Sequence, residues 1–323
     1  MSLRKADSAK VYGTIHHGEN VVIAQGTILR SEDESIQIGG RSMLLENSVM
    51  IGTQKHPLKV GRKTVFGHRC VAIGATIGDL CEIGNSTIFL PGSKVGNMCI
   101  FGEGTIVAAG AKIPDGSVVV GRPGRVIRSL KQEDREMIAR MRGGNISLPE
   151  DRVTVSKGPT KGEDEMGKLY PHGDKMPRVD ETATVYDTAE ITGDVVIGKH
   201  SLIGAGVRII GDSHGPVIIG DHVHILENSV LHLLPDNQLI IGDHVTIGPA
   251  CMIHGTTIGA GSVIESGAIV CDNSVLGENT LVCSGSLIKQ RSVFLNDQIL
   301  EGFPAKIVGK NEKPLRRPDW AFR

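Results

Sequence analysis

Residues 77–119 read IGDLCEIGNSTIFLPGSKVGNMCIFGEGTIVAAGAKIPDGSVV, and this stretch decides the fold. An aliphatic or aromatic residue recurs in it at every sixth position, from Ile77 to Val119. An α-helix has a period of 3.6 residues and an ordinary strand a period of two, so neither keeps one face apolar at this spacing. Short strands joined by tight turns, three to a coil, do keep it. The period is typical of a parallel β-helix, whose stacked coils bury a continuous apolar column.

The chain also repeats itself at a shift of 181 residues, and most of its length aligns without a gap. Ile38-Gly39 falls on Ile219-Gly220, for example. Both copies shorten one six-residue step to five at the same place, from Ala72 to Ile77 and from Ile253 to Ile258. A long-period repeat with a shared irregularity indicates a tandem duplication.

The duplication predicts an all-β chain of two tandem parallel β-helix domains with a helix and linker between them. We expect the first domain over 1–128, the helix and linker over 129–175, and the second domain over 176–323. Within the connecting segment, apolar residues of Ser129–Arg142 fall on one stripe, which is typical of an amphipathic helix, and Gly143-Gly144 should end it. Residues 145–175 are polar and rich in Gly and Pro, as expected of a linker or of a loop that follows the surface.

Composition argues against several kinds of partner and places the chain in the cytoplasm. Its 35 Lys+Arg nearly balance its 36 Asp+Glu, so we expect neither a nucleic acid nor a membrane as partner. The longest apolar runs are too short to span a bilayer, and no apolar segment follows Met1–Lys5 as in a signal peptide. The six cysteines form no CxxC pair, which favours free thiols in a reducing compartment.

The two copies differ at three positions where a histidine in one copy faces a residue that cannot bind a metal in the other. The pairs are His68 with Pro249, His232 with Ile51, and His254 with Ile73. Three imidazoles in complementary halves suggest one metal site shared between two domains. Three neutral imidazoles and an open position suit Zn²⁺, and another divalent metal is the alternative.

The segments around these histidines resemble the γ-class carbonic anhydrase family. Ser229–His232 is similar to the family's S-V-L-H segment, Ile241–Gly248 to I-G-D-x-V-T-V-G-H, and Ile253–Gly259 to L-H-G-C-T-I-G. The resemblance covers both halves and implies left-handed β-helices with a zinc held by three histidines. In the family's trimer, the outer two come from one subunit and the middle one from its neighbour. The resemblance thus implies a metal site of His68, His232 and His254, formed within one chain or between chains of a homo-oligomer.

The same resemblance implies a small-molecule substrate, CO₂/bicarbonate or similar, but the chain departs from the family pattern. The family's glutamine, six residues before the first ligand, is Leu45 in one copy and Leu226 in the other, so activity is expected to be weak or lost. No catalytic residue can be assigned. Arg30-Ser31-Glu32 is similar to the family's R-G-D segment, which implies that Arg30 and Glu32 serve assembly.

Two other functions fit the repeat. A hexapeptide-repeat acyltransferase would use acyl-CoA, and the segments Gly121–Gly124 and Gly302–Ala305 occur in both groups without separating them. A catalytically silent assembly scaffold would account for leucine at the glutamine position. Further histidines at 222, 224 and 244 are expected to be surface groups on the coils, because a lone imidazole needs convergent partners before it acts as a ligand.

Overall fold

Each half of the chain winds into a parallel β-helix whose coils are made of strands two to six residues long. The computed structural model describes residues 3–159, 166–212 and 215–322. It contains two compact units, Met1–Thr160 (unit 1) and Lys161–Arg323 (unit 2). The predicted all-β architecture of stacked parallel sheets is confirmed. Along the described ranges, no helix has the length and hydropathy that crossing a membrane requires.

Three sheets enclose unit 1, and we call them face 1, face 2 and face 3 in the order in which the chain visits them. Face 1 comprises Arg4–Lys5, Val22–Ile23, Met43–Leu44, Val65–Phe66, Glu82–Ile83, Ile100–Phe101, Ser117–Gly121 and Gly124–Ser129. Face 2 comprises Lys10–Tyr12, Ile28–Ser31, Val49–Gly52, Val71–Ile73, Ile88–Phe89 and Ile106–Val107. Face 3 comprises Thr14–His17, Ile36–Ile38, Leu58–Val60, Thr76–Ile77, Lys94–Val95, Lys112–Ile113 and Thr154–Lys157.

The same three faces recur in unit 2, and each keeps the name of its counterpart in unit 1. Face 1 comprises Thr184–Val185, Leu202–Ile203, His224–Ile225, Thr246–Ile247, Val263–Ile264, Leu281–Val282, Gln298–Gly302 and Ala305–Lys310. Face 2 comprises Lys168–Tyr170, Glu190–Gly193, Arg208–Gly211, Val230–Leu231, Met252–Ile253, Ile269–Val270 and Leu287–Ile288. Face 3 comprises Arg178–Val179, Val195–Ile197, Val217–Ile219, Leu239–Ile241, Thr257–Ile258, Val275–Leu276 and Val293–Phe294.

The residues of the six-residue period form the core of each unit. In unit 1, the rings of Phe66 and Phe89 meet edge to face at 5.9 Å, and those of Phe89 and Phe101 at 5.1 Å. The column of unit 2 is aliphatic at the corresponding positions, with Val270 in place of Phe89. A coil of three short strands leaves a narrow interior, which explains why branched aliphatic residues dominate it and aromatic residues are only 3% of the chain.

The cysteines are free thiols, as the sequence predicted. Cys70, Cys81, Cys99 and Cys251 are buried in the coils. Burial raises the pKa of the Cys70 and Cys251 thiols to about 12, because a thiolate would lose its hydration there. These two thiols therefore serve as small apolar side chains rather than as nucleophiles.

The segment 129–175 contains a helix and two strands that pair with strands of the units. Its predicted helix is present as Gln132–Met141, and Gly143 and Gly144 end it with φ of 64° and 77°. The helix begins after Ser129 because that residue still belongs to the antiparallel strand Gly124–Ser129. Strand Thr154–Lys157 then pairs antiparallel with Thr14–His17 of unit 1, and Lys168–Tyr170 is the first strand of unit 2. Residues 160–165 lie outside the described residues.

Polar contacts hold the part of this segment after the helix against the coils of unit 1. The Asp151 carboxylate accepts hydrogen bonds from the backbone N–H groups of Glu19, at 3.0 Å, and Gly40, at 2.5 Å. The Arg62 guanidinium donates to the carbonyl oxygens of Leu148 and Pro149 at 3.2 and 3.1 Å. The polar groups of this segment thus find hydrogen-bond partners on the coils, in backbone N–H groups and in the Arg62 side chain.

Candidate metal centre

His232 and His254 occupy the same corner of two successive coils in unit 2. His232 directly follows strand Val230–Leu231 and His254 directly follows Met252–Ile253, two strands of face 2 that pair in parallel. The backbone N–H of His232 donates to the carbonyl of Ile253 at 3.0 Å, which fixes the register between the two coils. The two rings lie 5.9 Å apart between centroids and meet edge to face at 81°. The structure thus brings together two of the three histidines that the sequence selected.

Asp272 lies behind His254, at the same corner one coil further on. Its Oδ2 lies 3.2 Å from His254 Nδ1, a buried nitrogen that has no aligned hydrogen bond. Its other oxygen, Oδ1, accepts hydrogen bonds from the backbone N–H of Gly255 at 3.2 Å and from Asn237 Nδ2 at 3.3 Å. The carboxylate is therefore held firmly in place. With a carboxylate at Nδ1, the imidazole has its Nε2 left to offer to a ligand.

His232 has a carboxylate neighbour of a different kind. Asp212, which follows strand Arg208–Gly211 on the preceding coil, places its Oδ1 3.2 Å from His232 Nε2. The His232 side chain is 32% exposed and that of His254 is 30% exposed. Both rings thus lie at the surface of unit 2, where another group could reach them.

His68 occupies a different corner, between face 1 and face 2 of unit 1. It lies two residues after strand Val65–Phe66, and its backbone N–H donates to Asn85 Oδ1 at 2.7 Å. Its Nδ1 lies 2.7 Å from Glu46 Oε2, and the His68 side chain is 51% exposed. Glu46 aligns with His68 on the preceding coil, because Leu44 pairs with Phe66 in the sheet. As at His254, a carboxylate at Nδ1 leaves Nε2 for a ligand.

The counterparts of these histidines in the other copy form apolar corners. Ile51 and Ile73 are buried side by side on face 2 of unit 1, where strands Val49–Gly52 and Val71–Ile73 pair. Pro249 follows strand Thr246–Ile247 in unit 2. Within the described residues, no three His, Cys, Asp or Glu side chains converge in a group that could hold a metal ion. Of the three predicted ligands, unit 1 carries His68 and unit 2 carries His232 and His254.

The positions of the family's glutamine are apolar in structure as well as in sequence. Leu226 is fully buried in unit 2, and Leu45 is half-buried in unit 1. Neither side chain can donate or accept a hydrogen bond.

Arg30 and Glu32, which the sequence assigned to assembly, lie at the end of the face 2 strand Ile28–Ser31. The Arg30 side chain is buried, and Arg30 pairs with Ile51 in the sheet. The Glu32 carboxylate accepts a hydrogen bond from the backbone N–H of Gln54 at 3.0 Å. Their role in assembly stays a prediction.

Sequence reasoning missed the carboxylates and misplaced one histidine. Asp272 lies one coil, 18 residues, beyond His254, and Glu46 lies one longer coil, 22 residues, before His68, so the coil period itself was the signal that could have found them. His224 was expected at the surface, but it is fully buried and its Nδ1 donates to the carbonyl of Ala321 at 3.1 Å. The chain's C-terminal segment, which has no repeat, covers that ring.

Comparison with known proteins gives matches in both halves of the chain. The family model described as the hexapeptide repeat of succinyl-transferase matches residues 57–88, 194–231, 238–272 and 256–284. A carbonic anhydrase of Geobacillus kaustophilus is 39% identical over 104 residues, which is 32% of this chain and 57% of that protein. Protein YrdA of Escherichia coli is 39% identical over 145 residues, which is 43% of this chain and 78% of that protein.

Among solved structures, a hexapeptide transferase family protein from Anaplasma phagocytophilum is 32% identical to this chain. The match covers 44% of this chain and 84% of that one, with a TM-score of 0.42. This chain spans little more than half the length of the carbonic anhydrase that it matches.

Proposed function

The chain belongs to the γ-class carbonic anhydrase-like family of hexapeptide-repeat proteins, and we propose that it binds one divalent metal ion through His68, His232 and His254. Zn²⁺ is the metal that three imidazoles and an open position suit best. The proposed reaction is the hydration of CO₂ or of a related small electrophile, with weak activity. The pairing of His232 with His254, with Asp272 held behind the second ring, carries the proposal.

The residues present fit such a metal. Histidines that bind metals usually have a carboxylate or carbonyl at the second ring nitrogen, which fixes the ring and makes it a better ligand. Asp272 lies at that nitrogen of His254 and Glu46 at that of His68, at 3.2 and 2.7 Å. All three rings are between 30% and 51% exposed, so each is accessible to an ion at the surface of its unit.

The chain's own residues would bind the metal and orient the imidazole rings that hold it. When bound, Zn²⁺ would supply Lewis-acid activation of water near neutral pH. Asp272 would hold His254 in a single orientation, and Glu46 would do the same for His68. Asp212 would have to release Nε2 of His232, from which it lies 3.2 Å away. Leu226 offers no hydrogen bond to orient a substrate or a water molecule, which is why we propose weak activity.

The division of the ligands requires assembly. In the proposed metal site, His68 comes from unit 1, and His232 and His254 come from unit 2. The two units would belong to one chain or to neighbouring copies in a homo-oligomer. The family resemblance supports this division, because in that family the outer two histidine ligands come from one subunit and the middle one from its neighbour. Arg30 and Glu32 are the proposed assembly residues.

A metal-binding assembly protein without hydration activity is the second candidate. The full burial of Leu226 favours it, since the position at which the family has a polar side chain is closed to solvent here. The two candidates share the metal and differ only in turnover.

Elemental analysis and a stopped-flow CO₂ hydration assay on the purified full chain test the proposal. We expect at most one ion per chain, because each unit lacks part of the ligand set. Two ions per chain, or none after reconstitution with Zn²⁺, would refute the shared site. Weak but measurable turnover would favour the first candidate, and metal without turnover the second. Turnover typical of carbonic anhydrases would contradict the weak activity expected from Leu226. Acyl-CoA binding without metal would favour an acyltransferase instead.

A further inference from the structure

A column of residues with positive φ follows the corner between face 3 and face 1 of unit 2, one residue per coil. The N–H of His200 donates to Thr182 Oγ1 on the preceding coil at 2.9 Å. The N–H of each later member donates to a backbone carbonyl of the preceding coil; Gly261 N–H, for example, donates to the Asp243 carbonyl at 2.8 Å. The column consists of His200 (53°), His222 (57°), His244 (60°), Gly261 (68°), Asn279 (53°) and Asp297 (63°). Residues of the column therefore lie above one another at a spacing set by the coil.

The three histidines of this column form a stack of imidazole rings. The ring centroids of His200 and His222 are 5.0 Å apart at an interplanar angle of 30°. Those of His222 and His244 are 4.8 Å apart, and their planes are nearly parallel at 6°. The stack runs along the coil axis and ends at His244.

The next position in the column is vacant because it is Gly261. A Cβ atom built there would meet no atom within 4 Å. Gly261 therefore places no side chain at the position above His244 where one more ring of the stack would lie. In unit 1 the corresponding residue is Leu80, which takes the same backbone conformation, with φ of 59°, and is only 5% exposed. We call the space above His244 that Gly261 leaves open the slot. Unit 1 has Leu80 at the corresponding position instead.

The chain's C-terminal segment forms a wall of this slot. The backbone N–H of Leu315 donates to Asn279 Oδ1 at 2.6 Å, and the N–H of Asn311 donates to the Asp297 carbonyl at 2.6 Å. Asn311 Nδ2 also donates to the Asn279 carbonyl at 2.7 Å. The segment is tied to the two column residues above the slot, and the resulting cavity of about 600 Å³ includes His244 and Gly261 in its lining.

Charged groups of both signs line the cavity, with carboxylates in excess. They are Glu278, Asp297, Glu312, Lys310 and Lys313, beside the His244 ring. Asp297 already accepts a hydrogen bond from Asn279 Nδ2 at 2.8 Å. Carboxylates accept hydrogen bonds and do not donate them when ionised, so this lining suits a ligand that donates.

We propose that this slot binds a planar heteroaromatic ring that carries an amino group, the chemistry of an aminopurine or aminopyrimidine base. The ring would lie on the free face of His244 and continue the imidazole stack into the space that Gly261 leaves open. The amino group would donate to a carboxylate of Glu278 or Glu312. The site is separate from the proposed metal ligands, and it does not depend on the metal.

Calorimetric titration of the full chain with adenosine tests the proposal, with inosine as the control ligand because it lacks the amino group. Gly261→His should fill the slot with a fourth imidazole, and the chain already accepts His with this backbone conformation at three positions of the column. His244→Ala should remove the stacking surface. Base–aromatic stacking is worth about 1–3 kcal/mol, so either substitution should weaken adenosine binding about 5-fold to 100-fold or more.

His200→Ala is the matched control, because it removes a ring at the other end of the same stack and should leave the affinity unchanged. Weaker binding of inosine than of adenosine is expected. The affinity for AMP relative to adenosine shows which class of ligand the slot prefers. Tighter binding of AMP indicates a nucleotide, and weaker binding indicates a nucleoside. Adenosine that does not bind, or that binds Gly261→His as tightly as the unaltered protein, would overturn the proposal.

Discussion

Asp272 is fixed by backbone and side-chain donors on one oxygen while its other oxygen lies 3.2 Å from His254 Nδ1. We propose that this carboxylate does not itself bind metal but accepts the Nδ1 proton when His254 binds a metal through Nε2, and so orients the imidazole. The loss of such a partner typically costs a factor of about 10–100 in metal affinity.

We therefore expect Asp272→Ala to weaken Zn²⁺ affinity about 10-fold to 100-fold. Competition with a chromophoric chelator measures this. Asp272→Asn keeps an oxygen for the Gly255 N–H but removes the charge, so its affinity should lie between those of the other two proteins. Circular dichroism and thermal unfolding establish that both variants are folded. Wild-type affinity in a folded Asp272→Ala protein would show that the carboxylate has no positioning role.

The helix Gln132–Met141 is attached to the coils through the residue that follows it. Arg142 Nη2 lies 2.5 Å from Glu82 Oε1, and both side chains are close to fully buried. Arg142 Nε also donates to the Lys63 carbonyl at 2.7 Å. Burial raises the pKa of Glu82 above its ordinary value of 4.5, and the Arg142 guanidinium opposes this rise without cancelling it.

Arg142→Met should therefore destabilise the protein by about 3–5 kcal/mol at neutral pH, because it leaves a buried carboxylate without its partner. A raised pKa means that the folded state holds the Glu82 proton more tightly than the unfolded state does, so stability from this group is present below its unfolded value and is lost as pH rises through the folded value. Without Arg142 that pKa rises further, and the cost of the substitution should shrink as pH falls from 8 to 5.

Urea unfolding across that pH range measures the cost, and the double variant Glu82→Gln/Arg142→Met is the matched control. Because the double variant carries no buried charge at this position, it should recover most of the lost stability and show a flatter pH dependence. A cost of Arg142→Met that is the same at pH 5 and pH 8 would contradict the assignment.

At the scale of the whole molecule, the duplicated chain is asymmetric in what each copy retains. Unit 1 has His68 and an apolar Ile51–Ile73 corner, and unit 2 has His232, His254 and Pro249. Independent decay of two sites would not favour a division that leaves one ligand in unit 1 and the other two in unit 2. The proposed single site makes the two units depend on each other for metal.

His68→Ala should accordingly remove the metal from His232 and His254, although these lie in the other unit. Elemental analysis of the purified full chain measures this, with His56→Ala as the control, a loop histidine of the same unit that is not a proposed ligand. If His68→Ala keeps stoichiometric metal with unchanged affinity while His232→Ala loses it, the site belongs to unit 2 alone.

The sequence by itself determined the fold and the choice of histidines. The six-residue period is local. Each inward-facing residue, such as Ile77 or Val119, lies in its own short strand, and every coil repeats the same spacing between such residues. Alignment of the two copies then selected His68, His232 and His254 as candidate ligands without any knowledge of distances. The helix followed from its own apolar stripe and its terminal glycines.

Only the tertiary structure decided what surrounds those histidines. The coil period places Asp272 and Glu46 at the same corners as their imidazoles. The direction of the Asp272 carboxylate depends on the hydrogen bonds from Gly255 and Asn237, which the period does not encode. Segments outside the repeat, namely residues 142–157 and the C-terminal residues 311–322, cover edges of the coils through contacts that no periodicity encodes. The C-terminal segment accepts a hydrogen bond from His224 through the Ala321 carbonyl and forms a wall of the Gly261 slot.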